Sequence, residues 1–382
     1  MPSLFDDATP PKTKLSDDQR LAWLRLIRSE NVGPATFKRL INRYGTASNA
    51  LDALPDIAAR GGAAKPIRIC AKDKALREIE TLDALGGSLI ALCEEDYPEL
   101  LTHAAGAPPL LSVIGQLSNN LTKTVAMVGA RNASAAGMAL TRQLASELGQ
   151  QGYKIVSGLA RGIDSAAHAA SIETQTIAVF AGGVDHIYPD QNRGLAEAIV
   201  EGGGALVSEM PLGTKPIARD FPRRNRIVAG MSLGVVVVEA AIRSGSLITA
   251  RLANEQNRDV MAIPGFPLDP RSAGGNKLIR DGATLVRNTD DILEQLANFK
   301  VEHLGLAQSE EDEIAFDWDD ENTPEASEQV LNALSHTPTA VDEIIRATNL
   351  PAQAVQLVLL DLEIAGRIER ASGQLVSLKF TS

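Results

Sequence analysis

TVAMVGARNASAAGMALTRQLASELGQQGYKIVSGLARGIDSAAH (124–168) reads as strand, helix, strand, helix, and it sets the architecture of the chain. The apolar run 124–130 ends around Gly129-Ala130-Arg131, and a helix is predicted over 134–151. A second apolar run, 154–158, ends in Ser157-Gly158 ahead of a helix over 163–172. The pattern continues outward in IAVFAGGVD (177–185), VVVVEAAIRSGSLITA (235–250) and MAIPG (261–265). Each strand stops in glycine, serine or arginine just before a helix begins. A parallel α/β sheet gathers its ligand groups at the carboxyl ends of its strands. Small residues there let a ligand approach the backbone, and the next helix offers free N–H groups and a positive dipole end. Such an edge is built to hold an anion.

The alternation extends through strands at 176–182, 204–209, 233–240, 259–264 and 283–287, with helices at 193–202, 223–231, 246–257, 274–281 and 290–298 between and after them. The continuously apolar VVVV (235–238) predicts a central strand buried on both faces. The expected fold is α/β, an extended Rossmann-like doubly wound parallel sheet. A strand within SLIALCEE (88–95) joins that sheet as an extension, with a turn at the paired prolines 108–109. Five regions are expected. Residues 1–17 are disordered, 18–75 form a helical domain like a SAM or helix-hairpin-helix module, and 76–298 form the Rossmann-like domain. An acidic linker spans 299–321, and a winged helix spans 322–382. In the last, Thr339 is the expected N-cap of a helix containing Val341, Ile344 and Ile345. Val355, Val358, Leu359 and Leu362 line the next helix, which Gly366 ends.

The net charge of −11 argues against a nucleic-acid partner only if it is evenly spread. Lys and Arg against Asp and Glu number 14 to 15 over 1–120, 18 to 17 over 121–296, 1 to 9 over 297–321, and 4 to 7 over 322–382. The acidity is thus concentrated in EHLGLAQSEEDEIAFDWDDEN, and local charge decides. Cys70 and Cys93 are the only cysteines and lack metal-ligand spacing, so neither a disulfide scaffold nor a metal site is expected. The opening MPSLFDDATPPKTK lacks the order of a signal peptide, and no run is long enough to span a membrane. The expected location is cytoplasmic.

Several nucleotide chemistries are disfavoured. A dinucleotide site needs G-x-G-x-x-G after the first strand, but here Gly129 is followed by Ala130-Arg131 and the next glycine is Gly137. No P-loop pattern and no nucleophile elbow is present. No cofactor and no catalytic residue is expected, and His168 and His186, each standing alone, read as packing or turn histidines. The most basic window is GTKPIARDFPRRNRIVAG (213–230), with Lys215, Arg219, Arg223, Arg224 and Arg226 against Asp220. These cations gather at or just before a helix start, where dipole and side chains both favour phosphate oxygens. Arg224 and Arg226 lie about 200° apart on a helix. One can face a ligand while the other pairs with an acid such as Asp164 or Glu239. Phe221 either stacks on a base or staples the helix entry. Ser244, Gly245 and Ser246 open the helix after the central strand, as anion donors or as an ordinary N-cap. In the N-terminal region, ENVGPATFKRLINRYG (30–45) is either a helix-hairpin-helix turn that meets a DNA phosphate, assisted by Lys38, Arg39 and Arg43, or a plain helical turn.

VGARNASAAGMALTRQLASELGQQGYKIVSGLARGIDSAAHAAS, FAGGVDHIYPDQNRGLAEAI, SEMPLGTKP, FPRRNRIVAGMS, EAAIRSGSLITARLANEQNRDVMAIPG and NKLIRDGATLV together resemble the DNA-processing protein A (DprA/Smf) family over about 88–298. The resemblance implies a protein without an enzymatic step that binds single-stranded DNA, protects it and helps load the RecA recombinase during natural transformation. It also implies a homodimer formed through the Rossmann-like domain, with Asn276–Ile279 as a candidate part of that contact. Carried over by motif, the phosphate-binding residues are Gly129, Arg131, Ser157, Gly158, Arg161, Lys215, Arg223, Arg224, Ser244, Gly245 and Ser246. Phe221 is the stacking residue, and Asp164, Asn225 and Arg226 organise the pocket. The winged helix departs from a duplex-binding module in being acidic, and a protein-contact or structural role is expected for it. The rival class is a nucleotide-binding phosphoribohydrolase, which carries P-G-G-x-G-T-x-x-E where this chain reads RSGSLITA.

Overall fold

Val235, Val236 and Val237 lie in an interior strand of a nine-stranded sheet, fully buried on both faces. The structure is a computed structural model that describes residues 12–117, 121–297, 324–371 and 373–379. Of the expected disordered start, 1–17, residues 1–11 lie outside the described residues, as does the whole expected acidic linker, 299–321. The strands are β1 (Gly87–Ala91), β2 (Leu110–Gly115), β3 (Thr124–Val128), β4 (Lys154–Ser157), β5 (Thr176–Val179), β6 (Ala205–Ser208), β7 (Gly234–Val237), β8 (Asp259–Ala262) and β9 (Thr284–Leu285). Their spatial order is β1-β2-β6-β5-β4-β3-β7-β8-β9. From β3 the chain steps outward through β4, β5 and β6, then returns to β7 on the other side of β3. The strands from β6 across to β9 run parallel, and β1 and β2 extend the β6 edge antiparallel. This is the expected doubly wound sheet, and the direction of winding switches between β3 and β7. A crevice forms at such a switch point, outside the carboxyl ends of the two strands.

Side chains alternate between two apolar layers. Ala126, Val128, Val235 and Val237 face one, with Ile227 and Ala250; Val125, Met127 and Val236 face the other, with Leu144 and Leu148. The covering helices are α5 (Glu99–Thr102), α6 (Ala135–Gln150), α7 (Ile163–Ala170), α8 (Arg193–Glu201), α9 (Asp220–Gly230), α10 (Gly245–Glu255), α11 (Ala273–Arg280) and α12 (Thr289–Ala297). One expectation changes: α9 starts at Asp220, not at 223, so Phe221 and Pro222 belong to its first turn. Proline is tolerated there because the first-turn amides have no intrahelical partner.

Chain contacts divide the described residues into two units. The sheet and its helices, Arg77 onward to 297, form one; Leu15–Leu76 and the residues beyond 323 form the other. The second unit begins before the expected boundary at 18, with Leu15 buried and Ser16 closing a capping box with Gln19 on α1 (Asp17–Ile27). Next come α2 (Pro34–Tyr44) and α3 (Ala47–Arg60), around a core of Leu24, Leu26, Phe37, Leu40, Leu54 and Ile57. The unit boundary falls within α4 (Lys72–Ala84). The C-terminal residues form α13 (Pro324–Ala333), β10 (Thr339–Ala340), α14 (Val341–Thr348), α15 (Ala352–Ile364), β11 (Ile368–Ala371) and β12 (Leu375–Leu378), the order of a winged helix. Thr339 lies in β10, and Ala340 rather than Thr339 precedes the helix as its N-cap residue. Val355, Val358, Leu359 and Leu362 face the winged-helix core as expected. Leu357, Leu360, Asp361 and Ile364 are buried as well, so α15 is covered on a second face.

Candidate nucleic-acid interface

At the switch point the loop after β3 is held by a carboxylate from the end of β7. Ser134 N-caps α6, accepting from Gly137 N at 2.9 Å. Its own N–H and hydroxyl donate to Glu239, at 2.9 and 2.6 Å. Gly129 ends the strand where a Cβ would stand 2.6 Å from Ile163, so the tight approach of α7 requires glycine. Gly162, at φ 79°, backs onto the carbonyl of Ala130 in the same way. Between these fixed points Arg131 is exposed, with its guanidinium 5.3 Å from the centroid of the Phe221 ring.

The second loop is braced from below. Ser157 is buried and donates its hydroxyl to the Met127 carbonyl at 2.6 Å. Asp164, also buried, accepts the N–H groups of Gly158 and Ala160 on a single oxygen, at 3.1 and 3.3 Å. Arg224 reaches under the loop from α9 and donates to the carbonyls of Gly158, at 2.7 Å, and Val179. A Cβ at Gly158 would overlap that guanidinium. Burial brings Arg224 down to about 10, opposed by Asp164 and reinforced by Arg131. Burial likewise raises the Asp164 carboxyl above its ordinary range, against the pull of Arg224 and the two amides.

These positions change two assignments. Arg224 is 7% exposed and gives Nη1 to strand-end carbonyls and Nε to Asn225, so it braces the loops in addition to the phosphate contact expected of it. Ser157 is turned into the sheet for the same reason, and Gly158 has both backbone groups occupied. Arg226 does pair with an acid, but the acid is Glu209, neither Asp164 nor Glu239. Glu209, at the end of β6, also holds Arg223 at 3.1 Å. The sequence reading missed Glu209 because SEMP carries no spacing signal that points to α9. Asn225 accepts from Arg224 Nε at 3.2 Å and donates to the Gly245 carbonyl at 3.3 Å, bridging α9 to the start of α10. Ser244 N-caps α10, and its hydroxyl lies 2.6 Å from that of the buried Ser246. Gly245 is exposed between them.

Above the brace the exposed groups are cationic and aromatic. Arg161, Lys215 and Arg219 are exposed, and Arg223 keeps 48% of its side chain accessible despite its ion pair. Phe221 meets a second ring that sequence reasoning did not select: Tyr188 lies 5.7 Å away, centroid to centroid, and is 48% exposed. Its only signal was an aromatic residue in HIYPD, between two strand-end motifs. The site therefore offers guanidinium and ammonium groups beside a pair of partly open rings.

His168 takes no part in this surface. It is fully buried on α7, with Nδ1 2.7 Å from Thr176 Oγ1. Burial, aided by the charge of Arg224, pushes it down to about 3. A depressed value favours the neutral form, so the unfolded chain takes up a proton first as pH falls below about 6.5. Stability from this residue is complete above that pH and declines down to about pH 3. The loss is about 1.4 kcal/mol per pH unit in that window. Thermal melting from pH 7 to pH 4 is expected to fall less steeply in His168→Gln than in the unsubstituted protein. Equal slopes would remove His168 as a source of acid sensitivity.

Comparison with known proteins assigns all three regions. The family model for DNA recombination-mediator protein A matches residues 88–297; those for a DprA-like N-terminal HHH domain and a DprA winged helix domain match 17–81 and 319–374. Protein Smf of Escherichia coli is 40% identical over 293 residues, which is 76% of this chain and 77% of that protein. DNA processing protein DprA of Bacillus subtilis is 41% identical over 221 residues, 57% of this chain and 74% of that protein. Among solved structures, DNA processing protein A from Streptococcus pneumoniae aligns with a TM-score of 0.59 at 34% identity, covering 75% of this chain and 99% of that one. The protein of the same name from Helicobacter pylori, whose structure concerns its single-stranded DNA binding mode, aligns with a TM-score of 0.50 at 28% identity, covering 55% and 95%.

Proposed function

Because the chain belongs to the DNA recombination-mediator protein A family, we propose that it binds single-stranded DNA at the carboxyl edge of its parallel sheet. The observation that carries this reading is the contrast between the two layers of the site. Beneath, Ser157, Asp164 and Arg224 are buried and hold the loops. Above, Arg131, Arg161 and Lys215 are exposed cations, and Arg131 faces Phe221, which meets the half-exposed Tyr188. Phosphates of an extended strand lie against the cations and the α10 start at Ser244–Ser246, while unpaired bases stack on the rings. Stacking accepts any base, so sequence preference is weak and salt dependence strong.

The protein acts on DNA as a binding protein rather than an enzyme. Glu239, which precedes the RSGSLITA turn, is occupied by Ser134. On this reading the bound strand is protected and passed to the RecA recombinase in natural transformation. The same reading includes a homodimer through the Rossmann-like domain and a cytoplasmic location. Among the described residues no helix is long and apolar enough to cross a membrane. A dimer presents two such sites, and a strand spanning both gains avidity.

Fluorescence anisotropy with a labelled single strand and a duplex of equal length, titrated across a salt series, tests this reading. Preference for the single strand, with log K falling by about 0.7 per phosphate neutralised for each unit of log salt, is expected. Equal affinity for both forms, or no binding at low salt, would sink it.

A further inference from the structure

The second unit holds an anion site of its own, and the chain's own carboxylate fills it. Glu363, on the second buried face of α15, accepts from Thr36 Oγ1 at 2.7 Å and from Arg39 at 3.0 Å, both on α2. Arg370 of β11 completes the set at 3.1 Å. Burial alone pushes the Glu363 carboxyl up, but Arg39 and Arg370 bring it below its ordinary range, so it is held as an anion. Two residues earlier Asp361, 1% exposed, pairs with Arg60 at the end of α3 at 3.1 Å. Asn31, just before α2, donates to the Ile364 carbonyl at 3.0 Å. The approach is close enough to require glycine: a Cβ on Gly61 would overlap the backbone carbonyl of Asp361.

The groups that Glu363 occupies belong to the turn-and-helix segment 31–39, where Gly33 begins α2 without a side-chain cap. A hydroxyl and a guanidinium one turn apart, at the start of a helix, suit a phosphate oxygen as well as a carboxylate. The charge balance of the two partners points the same way. Residues 18–75 carry 11 Lys and Arg against 5 Asp and Glu, and 322–382 carry 4 against 7. An acidic winged helix on a basic helical domain is the arrangement expected of a nucleic-acid surface closed by a mimic of its ligand.

We propose that α15 plugs a second nucleic-acid phosphate site, formed by Thr36 and Arg39 on α2, and that undocking the winged helix opens it. The site is separate from the strand-end cleft, so it is tested with that cleft weakened by Arg131→Ala. Two substitutions undock from opposite sides: Glu363→Gln removes the mimic's charge, and Gly61→Ala drives α15 away without touching a charged group. Gly61 has φ −68°, so alanine is locally permitted. Anisotropy is read with a labelled single strand and a labelled duplex, which separates the two sources of phosphodiester. Either substitution is expected to raise affinity for at least one probe by about tenfold, with a salt slope steeper by about one unit. Adding Arg39→Ala is expected to cancel the gain. In the unsubstituted protein, saturating DNA at low salt is expected to speed backbone hydrogen exchange over 361–368. No gain in either variant, a gain that survives Arg39→Ala, or exchange over 361–368 unaltered by DNA would each overturn the proposal.

Discussion

Arg131→Ala is expected to weaken single-strand binding by about ten- to a hundredfold while leaving the melting temperature within a degree or two of the unsubstituted protein. Arg131 is exposed and follows a glycine-ended strand, and its one described contact is the face of Phe221. Removing it leaves no buried group without a partner, so the cost to stability is that of a surface substitution, about 0.5 kcal/mol or less. Binding loses a charge-assisted hydrogen bond worth about 1.5–3 kcal/mol, which is roughly ten- to a hundredfold in affinity. The loss should be uniform across sequences, because a phosphate contact carries no base information. The salt slope should flatten by about 0.7. On a dimer a long strand crosses two sites, so the deficit should be larger for long strands than for short ones. Unchanged binding in anisotropy titrations would remove Arg131 from the interface.

The sequence displays the strand ends but conceals which of their residues face outward. Alternation of apolar runs with helical segments marks β3 to β9 because period and punctuation are local properties. The candidate cations also cluster legibly, since 213–230 is the most basic window in the chain. Whether Arg224 or Arg223 turns outward is decided by which side of α9 packs on the sheet. That side depends on where α9 begins. Reading Phe221-Pro222 as lying ahead of the helix hides that Asp220 starts it, with its side chain accepting from the Ile217 N–H at 2.9 Å. The clamp of Glu209 on Arg223 and Arg226 joins a strand end to a helix many residues later, and Tyr188 reaches Phe221 across a similar gap. Such pairings are properties of the assembled sheet. The second face of α15 is hidden for another reason. Asp361 and Glu363 look like solvent-facing residues in sequence, and only their cationic partners on α2 and α3 make burial tolerable.

Arg224→Ala should differ in signature from Arg131→Ala: a large loss of stability accompanies the loss of binding. The guanidinium is buried, donates to the Gly158 and Val179 carbonyls, and stands near Asp164. Alanine leaves those carbonyls without their donor, opens a cavity beneath the loop, and strands a buried carboxylate. Removing one partner of a buried charged pair costs about 3–5 kcal/mol. For a domain of this size that is on the order of 10 °C in melting temperature. The cause can be isolated, because both amides that bind Asp164 converge on one of its oxygens. Asparagine can present its carbonyl oxygen at that place, keeping both hydrogen bonds without the charge. Asp164→Asn is therefore expected to destabilise the chain when Arg224 is present and to restore part of the loss when Arg224 is alanine. The coupling energy from the double-mutant cycle then measures the brace itself. Additive melting shifts would mean that Arg224 and Asp164 hold the loops independently. A melting temperature unmoved by Arg224→Ala would leave that side chain as a ligand contact only.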